Sequence, residues 1–226
     1  MILVVRGDRE FLVEPGEELH TDLGVLEVPA EVAPGDTIET HLGESFTVGD
    51  LRGPDLFAHL ERTGAPMMPK DIGLLIGHTG LTAEDRVLDA GTGTGVLAAY
   101  LGRLGAEVLT YEKNPEFASV ARDNMALAGV DDRVTVRTGD VLEHLGDLSG
   151  FDVLTLDTED APAVLEQAPD LLVSGGYVAV YSPFVEAAKA VEEAASSAGL
   201  SESRTLETIQ RRMDFDERGS RPSTAG

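Results

Sequence analysis

The sequence has no cysteine and no tryptophan, and its five histidines are scattered without a close pair. The absence of cysteine excludes a disulfide framework, a thiolate metal site and a cysteine nucleophile. The scattered histidines argue against a structural metal in the same way. The sequence therefore predicts a protein without a bound metal.

Long apolar runs are also missing, because nothing approaches eighteen consecutive apolar residues. The first residues, MILVVRGDRE, lack the charged start and the long apolar stretch of a signal peptide. We therefore expect a cytoplasmic protein with no membrane partner. The length of 226 residues, with 42% hydrophobic residues, suits one small and one medium domain with a sizeable core.

Positive charge is scarce: lysine occurs only at Lys70, Lys113 and Lys189, and 17 basic residues face 41 acidic ones, for a net charge of −24. The acidic residues are spread along the chain, and the hydrophobic content argues against disorder. In molar salt the Debye length falls to about 3 Å, which screens the mutual repulsion of carboxylates. The composition predicts a halophilic protein; an ordinary acidic enzyme that avoids polyanions is the alternative.

Two regions differ in their hydrophobic pattern. Residues 1–50 alternate short β-branched runs with turn signals, which predicts a small β-rich domain. Residues 51–70 read as a connecting segment. Residues 71–226 alternate strands with helices, which predicts right-handed crossovers and an α/β, doubly wound, mostly parallel sheet.

The second region is predicted to alternate strands and helices along most of its length. Its predicted strands are Arg86–Asp89, Glu107–Glu112, Val134–Arg137, Asp152–Asp157 and Tyr177–Tyr181. Its predicted helices are Val96–Arg103, Pro115–Ala128 with an Asn114 cap, Ala161–Val173 ended by Ser174-Gly175-Gly176, and Val185–Ala198. A final strand is expected near Ser203–Phe215.

A glycine-rich loop, Asp89-Ala90-Gly91-Thr92-Gly93-Thr94-Gly95, connects the first of these strands to its helix. Glycines permit a tight turn and let the backbone approach a ligand above a helix N-terminus, so the loop is typical of a nucleotide site. Glycine spacing alone does not identify the nucleotide, since Gly93-x-Gly95-x-x-Ala98 also satisfies a loose dinucleotide pattern. A plain tight turn is the other interpretation.

Acidic residues at three strand ends narrow the choice of nucleotide ligand. Glu112 ends the second strand and is suited to accept both ribose hydroxyls, while Asp140 follows the third and suits an adenine amino group. Asp89 precedes the first glycine and is predicted to face a cationic amino-acid group, or else to be structural and hold loop amides. Together with Gly91, Thr92, Gly93 and Gly95, these residues resemble the Rossmann-like class I methyltransferase pattern that binds S-adenosylmethionine.

Asp157 ends the next strand, at the edge where a methyltransferase sheet presents its substrate-side residues. Methyl transfer from a sulfonium depends on positioning and electrostatics, with no obligatory covalent intermediate. We predict that Asp157 is catalytic, orienting an acceptor and stabilising a cationic product. The alternative is that Asp157 only caps the following turn.

Beyond this pattern, the chain resembles the TrmI type of tRNA (adenine-N1)-methyltransferase over nearly its whole length. The matching segments are Thr21-Asp22-Leu23-Gly24, Pro34-Gly35-Asp36, His41-Leu42-Gly43-Glu44-Ser45-Phe46, Pro69-Lys70-Asp71, Asp89–Gly95, Tyr111-Glu112, Asn124, Tyr181-Ser182-Pro183, Glu207, Arg211 and Arg221-Pro222. The resemblance implies a homotetramer, a T-loop adenine of tRNA flipped towards the methyl donor, and Asp157 as the catalytic aspartate. It also implies that Met68, Lys70, Tyr181 and Arg211 contact the substrate.

The chain departs from the family pattern at three places. Met68 stands where an aromatic residue or histidine usually precedes Pro-Lys-Asp, Thr158-Glu159-Asp160 replaces the usual Asp-x-Pro and nearby Trp, and Glu186 stands where an amide is common. A class I sheet also expects a seventh strand after Arg221-Pro222, so the natural C-terminus is expected to extend past Gly226. Two other functions therefore stay open: a noncatalytic tRNA-binding partner, and a methyltransferase for a protein or small-molecule acceptor.

Positive charge is concentrated near the end of the chain. The arginines concerned are Arg204, Arg211, Arg212, Arg218 and Arg221. They are suited to contact phosphates, and equally suited to internal ion pairs or subunit contacts.

Overall fold

The computed structural model describes residues 1–217 and 219–223. Arg218 and Gly226, on which two of the sequence predictions fall, lie outside the described residues. No helix in the described ranges is long and apolar enough to span a membrane.

The N-terminal region is built from short antiparallel strands. They are β1 (Ile2–Arg6), β2 (Arg9–Val13), β3 (Glu18–Thr21), β4 (Gly24–Glu27), β5 (Thr37–Glu39) and β6 (Ser45–Gly49). Four of them form a sheet in the order β2-β1-β6-β5, and β3 pairs with β4 in a separate hairpin. Side chains alternate between the two faces of each strand, and one face forms the core. In β6, Phe46 and Val48 are buried while Thr47 is exposed, and Val48 lies opposite the buried Val4. The predicted β-rich region is therefore confirmed.

A connecting segment then packs on the second region. It contains α1 (Gly53–His59), whose Leu56 is fully buried in the larger core. The amide side chain of Asn124 donates to the carbonyls of Glu61 and Thr94, at 2.8 and 2.7 Å, and accepts from the Glu61 amide at 3.0 Å. Asn124 therefore fastens the connecting segment to the glycine-rich loop.

The second region is a five-stranded parallel sheet in the order β11-β10-β7-β8-β9. Its strands are β7 (Arg86–Ala90), β8 (Glu107–Glu112), β9 (Val134–Thr138), β10 (Phe151–Leu156) and β11 (Leu172–Val180). Its helices are α2 (Pro69–Thr79), α3 (Val96–Leu104), α4 (Pro115–Ala128), α5 (Ala161–Leu165), α6 (Ala168–Leu171) and α7 (Val185–Ser197). The predicted α/β, Rossmann-like fold is confirmed.

Both faces of the sheet are covered, as a parallel sheet requires. Val87, Val108 and Val153 belong to the cluster that also contains buried side chains of α2, α3 and α4. Leu88 and Leu154, from alternate positions, belong to the cluster under α5, α6 and α7. The carboxyl ends of all five strands meet at one edge, where the site lies.

The predicted helix Ala161–Val173 is wrong. Two short helices, α5 and α6, occupy its first part, because Pro169 lacks the amide hydrogen that a continuous helix needs and fits the first turn of a new one. Ser174-Gly175-Gly176 lies within β11 rather than ending a helix. The pairing of β10 with β11 shifts register there, from Phe151 opposite Leu172 to Val153 opposite Tyr177, so the glycines form a bulge.

The predicted strand near Ser203–Phe215 is also largely wrong. Residues 201–212 form no helix or strand and are exposed, because no neighbouring strand pairs with them in the described part of the chain. Only β12 (Met213–Asp216) is a strand, and it pairs antiparallel with β13 (Gly219–Pro222) outside the main sheet.

Candidate active site

Three glycines shape the loop after β7. Gly91, Gly93 and Gly95 have φ values of +92°, +54° and +82°, which side-chain-bearing residues rarely adopt. Gly95 also precedes α3 as its N-cap residue, and its amide donates to the Thr92 carbonyl at 2.8 Å. The predicted glycine loop therefore turns directly from the sheet edge into the N-terminus of a helix.

Gly91 has a second reason to lack a side chain. A Cβ at this position would lie 2.0 Å from the Asp157 carbonyl oxygen, far inside any allowed contact. The Asp157 amide in turn donates to the Ala90 carbonyl at 2.9 Å. The end of β7 and the end of β10 are thus in direct backbone contact, which fixes Asp157 beside the glycine loop.

Asp89 lies inside the sheet and is only 1% exposed. Its two carboxylate oxygens accept hydrogen bonds from the hydroxyls of Thr110 on β8 and Thr155 on β10, both at 2.5 Å. Burial raises the pKa of this carboxyl above its usual range, although both hydroxyl bonds oppose the shift. Asp89 therefore braces three neighbouring strands through hydroxyls rather than through the loop amides expected from sequence, and its predicted cofactor contact stays a prediction.

Thr92 extends the same buried network. Its side chain is 7% exposed, and its hydroxyl forms a hydrogen bond with the Thr110 hydroxyl. The Thr92 amide donates to the Tyr111 carbonyl at 3.2 Å. The Thr92 side chain thus holds the loop against the sheet.

Glu112 ends β8 and lines the cleft at the sheet edge. One carboxylate oxygen accepts from the Gly93 amide at 2.8 Å, and the other accepts from the Asn114 amide at 2.8 Å. Each oxygen keeps a free lone pair, so the carboxylate is oriented by the backbone and can still accept two hydroxyl donors. This geometry suits the ribose contact predicted for Glu112.

Asp140 begins the turn after β9. One of its oxygens accepts from the Leu142 amide at 2.9 Å, and the other lies 3.0 Å from the Lys113 Nζ. Partial burial raises the pKa of Asp140. The hydrogen bond from the Leu142 amide and the charge of Lys113 lower it by more, so the pKa of Asp140 lies below its usual range. Asp140 is therefore a carboxylate at the sheet edge, although it does not itself line the cleft.

Lys113 is a site residue that sequence reasoning missed. Its Nζ lies 3.0 Å from Asp140 and 2.5 Å from Asp160, so one ammonium joins the end of β9 to the turn after β10. These hydrogen bonds raise the Lys113 pKa above its usual value. The sequence feature that could have identified Lys113 is its position directly after Glu112, at a strand end that faces two acidic turns.

Asp157 follows β10 and lines the cleft with a half-buried carboxyl. Burial raises its pKa to about 6, and the negative charge of the nearby Asp89 adds to the shift. The following turn is held by Thr158, whose hydroxyl accepts from the Asp160 amide at 3.2 Å. Because Thr158 supplies the capping oxygen, the alternative role of Asp157 as a turn cap loses its basis.

The cleft itself brings together residues from four strand ends. Its lining consists of Ala90, Gly91, Tyr111, Glu112, Lys113, Gly139, Val141, Asp157, Thr158 and Asp160. Three of these residues, Glu112, Asp157 and Asp160, carry carboxylates, and hydroxyl, amine and cationic groups are the ligands that such carboxylates can bind.

Known proteins resemble this chain in sequence and in fold. The methyltransferase domain family matches residues 81–213 of the chain. The tRNA (adenine(57)-N(1)/adenine(58)-N(1))-methyltransferase TrmI of Methanocaldococcus jannaschii is 31% identical, over 97% of this chain and 87% of that protein. The chain belongs to the TrmI family of tRNA (adenine-N1)-methyltransferases.

Two solved structures extend the comparison. TrmI from Aquifex aeolicus, a tRNA (m1A58) methyltransferase, superposes with a TM-score of 0.71 at 23% identity, over 99% of this chain and 90% of that one. An S-adenosylmethionine-dependent O-methyltransferase from Thermotoga maritima has a TM-score of 0.77 at 27% identity, over 99% of this chain and 86% of that one. The TrmI-family fold thus includes both the N-terminal β region and the methyltransferase sheet.

The substrate residues predicted from the TrmI resemblance lie outside the cleft lining. Met68 is 46% exposed and precedes α2 as its N-cap residue, and the Lys70 Nζ lies 2.6 Å from Asp71. Tyr181 follows β11, with its amide donating to the Leu156 carbonyl at 2.9 Å. Arg211 lies exposed in residues 201–212. Their contacts with substrate stay predictions.

Replacing Lys113 by methionine is expected to weaken S-adenosylhomocysteine binding about two- to fivefold in dilute buffer, because Asp140 and Asp160 lose the cation that holds them. Half-exposed ion pairs are screened by salt, so the effect is expected to fade in molar KCl. Calorimetric titration at both salt concentrations measures it. Lys189→Met, which removes a lysine paired with Glu193 on α7, is the control, and equal affinities for the two variants would contradict a role for Lys113.

Proposed function

We propose that this protein methylates N1 of a T-loop adenosine in tRNA, with S-adenosylmethionine as the methyl donor. The observation that carries the proposal is the half-buried Asp157 carboxyl, held by backbone contact beside Gly91 in a chain of the TrmI family. The TrmI of M. jannaschii is named for adenines 57 and 58, so the adenosine at position 57, 58 or both is the proposed target.

The residues at the sheet edge fit this cofactor. Glu112 offers two oriented acceptor oxygens for the ribose hydroxyls, and Asp140 offers a carboxylate for the adenine amino group. Gly91, Gly93 and Gly95 keep the loop free of side chains where the amino-acid end would lie. When bound, S-adenosylmethionine supplies an electrophilic methyl group on a sulfonium sulfur.

Asp157 acts on the acceptor side of the reaction. Adenine N1 has a free lone pair and needs no strong base, whereas the N1-methylated ring is cationic. A carboxylate fixed beside that ring stabilises the positive charge as it develops, and a half-buried position strengthens this interaction relative to water. Because the T-loop base is otherwise stacked, it must flip out to reach the cleft.

The test is incubation of the protein in molar KCl with unmodified tRNA and labelled S-adenosylmethionine, followed by nucleoside analysis. The appearance of N1-methyladenosine is the expected result. Cofactor binding without a methylated nucleoside would instead support the noncatalytic tRNA-binding partner.

A second candidate is transfer of the methyl group to an oxygen of a protein or small-molecule acceptor. The observation in its favour is the superposition on an S-adenosylmethionine-dependent O-methyltransferase, at a TM-score of 0.77. The cofactor half of a methyltransferase does not dictate the acceptor. Labelled methyl esters on protein, with none on tRNA, would favour this candidate.

The proposal includes a homotetramer in the cytoplasm of a halophile. The TrmI-type resemblance supports the tetramer, and a mass near four chains in light scattering is the expected result. A tRNA substrate supports the cytoplasmic location.

The net charge of −24 supports adaptation to salt, because self-repulsion of the acidic surface is screened only at high ionic strength. The melting temperature is expected to rise by several degrees between about 0.2 M and about 3 M KCl. Thermal unfolding followed by circular dichroism measures it, and sucrose of equal osmolality is the control for general exclusion effects. A melting temperature that does not change with KCl would support the ordinary acidic enzyme.

A further inference from the structure

Three consecutive residues at the end of β8 hold the glycine-rich loop. The Tyr111 carbonyl accepts from the Thr92 amide at 3.2 Å, and the Glu112 carboxylate accepts from the Gly93 amide at 2.8 Å. One residue earlier, the Thr110 hydroxyl forms a hydrogen bond with the Thr92 hydroxyl. β8 therefore supports the loop at three successive positions, and Thr110 does so from inside the sheet.

The direction of the hydrogen bond between Thr92 and Thr110 follows from the number of hydroxyl protons. Thr110 lies opposite Asp89 in the sheet, and its hydroxyl donates to the Asp89 carboxylate at 2.5 Å. A hydroxyl has one proton to donate, and a carboxylate only accepts. Thr110 has therefore given its proton to Asp89 and accepts from Thr92. The Thr92 proton is in turn committed to Thr110, so it is not free to bind a ligand.

These three side chains are buried, with exposed fractions of 0% for Thr110, 1% for Asp89 and 7% for Thr92. Water cannot replace a hydrogen bond that is lost at such a depth, and a buried polar group without a partner costs free energy. Without the Thr110 hydroxyl, both the Thr92 hydroxyl and one Asp89 oxygen would lose their partner. The loop would then be favoured in other shapes, in which Thr92 reaches water.

We propose that Thr110 is a positioning residue for cofactor binding, because its hydroxyl, held by Asp89, fixes Thr92 and with it the shape of the glycine-rich loop. We name the hydrogen-bonded series Thr92, Thr110 and Asp89 the hydroxyl relay. The relay rests on the proposed function, since it presumes that the loop binds S-adenosylmethionine. A loop that holds its binding shape for only part of the time binds more weakly by that fraction.

The experiment compares three variants of the full chain. Thr110→Val keeps nearly the shape of threonine and removes the hydroxyl, whereas Thr110→Ser keeps the hydroxyl. Thr155→Val is the matched control, because Thr155 is equally buried and donates to the other oxygen of Asp89 at 2.5 Å, from β10 instead of β8. The measurements are the urea midpoint of unfolding, the Kd for S-adenosylhomocysteine, and hydrogen exchange of the amides of residues 91–95 without ligand.

Thr110→Val is expected to bind S-adenosylhomocysteine about tenfold more weakly and to exchange its loop amides faster. Thr110→Ser is expected to bind within about twofold of the unaltered affinity, because the hydroxyl is retained. Thr155→Val should lower the urea midpoint about as much as Thr110→Val, but its affinity should stay within about twofold. Equal affinities for the two valine variants, or a serine variant as weak as the valine one, would overturn the relay.

Thr92→Val separates the relay from a direct contact between the Thr92 hydroxyl and the cofactor. This variant removes the donor of the same hydrogen bond, so it is expected to weaken binding about as much as Thr110→Val, and the double variant should be no weaker than either single one. Losses that add would show that Thr92 contacts the cofactor itself, and would overturn the relay. Because Thr92 lies in the loop, this variant also tests the relay if Thr110→Val does not fold.

Failure of the relay can be told apart from failure of the proposed function. If the unaltered protein binds S-adenosylhomocysteine and forms N1-methyladenosine in tRNA, while Thr110→Val binds with unchanged affinity, only the relay is wrong. If the unaltered protein does not bind S-adenosylhomocysteine, the proposed function and the relay are both wrong.

Discussion

Asp157→Asn is expected to lower kcat for methyl transfer to tRNA by about a hundredfold or more, while S-adenosylhomocysteine binds within about twofold of the unaltered affinity. Asparagine has nearly the same shape as aspartate but carries no charge to stabilise a cationic adenine. The Asp157 backbone, which touches Gly91 and Ala90, is unchanged by the substitution. Single-turnover methylation and calorimetric titration measure the two effects separately.

The same variant is expected to be more stable than the unaltered protein at neutral pH. A carboxyl whose pKa is raised to about 6 in the folded chain, against about 3.9 when unfolded, binds its proton more tightly when folded. Ionisation of Asp157 therefore costs stability as the pH rises from about 4 through 6. Since the side chain is partly open to solvent, we expect a gain of about 1–2 kcal/mol for asparagine at pH 7, disappearing near pH 4.

The pH dependence of kcat follows from the same carboxyl. Stabilisation of a cation requires the ionised form, so kcat is expected to rise with pH through about 6 in the unaltered protein. Asp152→Asn is the matched control, because Asp152 lies at the opposite end of β10 and accepts from the Arg86 amide at 2.8 Å. Its kcat should match the unaltered protein. Turnover that survives in Asp157→Asn with the same pH profile would remove Asp157 from the mechanism.

Features that depend on neighbouring residues in the chain were predictable from the sequence. The glycine loop was predictable, because alternating glycines directly before a helix indicate a tight turn in conformations that other residues rarely adopt. The Asn114 cap was also predictable, and its side chain accepts from the Glu116 amide at 2.9 Å. Strand ends followed from hydrophobic runs, so Glu112 and Asp157 could be assigned to one edge of the sheet before their distances were known.

Features that depend on register and on partners far along the chain were not predictable in this way. The partners of Asp89 are the two threonines that lie opposite it on β8 and β10, and hydrophobic pattern does not fix which residues face one another. Lys113 joins two turns that lie 27 and 47 residues later in the chain. A strand was predicted near Ser203–Phe215, but a strand also needs a neighbour to pair with, and the sequence does not say whether one is present.

Gly91→Ala is expected to destabilise the protein by about 2–5 kcal/mol and to abolish measurable S-adenosylhomocysteine binding. A residue with a side chain at φ +92° carries a strain of about 1–2 kcal/mol, and overpacking against neighbouring atoms adds about 1–3 kcal/mol. The added Cβ would lie 2.0 Å from a backbone oxygen, so the ends of β7 and β10 must separate. Urea unfolding and calorimetric titration measure the two effects.

Gly129→Ala separates the strain from the clash. Gly129 has φ +66° at the end of α4, and a Cβ there would meet no atom within 4 Å, so this variant should lose only about 1–2 kcal/mol. The difference between the two variants then measures the cost of displacing the Asp157 backbone from Gly91 to make room for the added Cβ. If both variants lost the same stability, that contact could yield at no cost, and the fixed position of Asp157 on which the proposed chemistry depends would no longer follow from the fold.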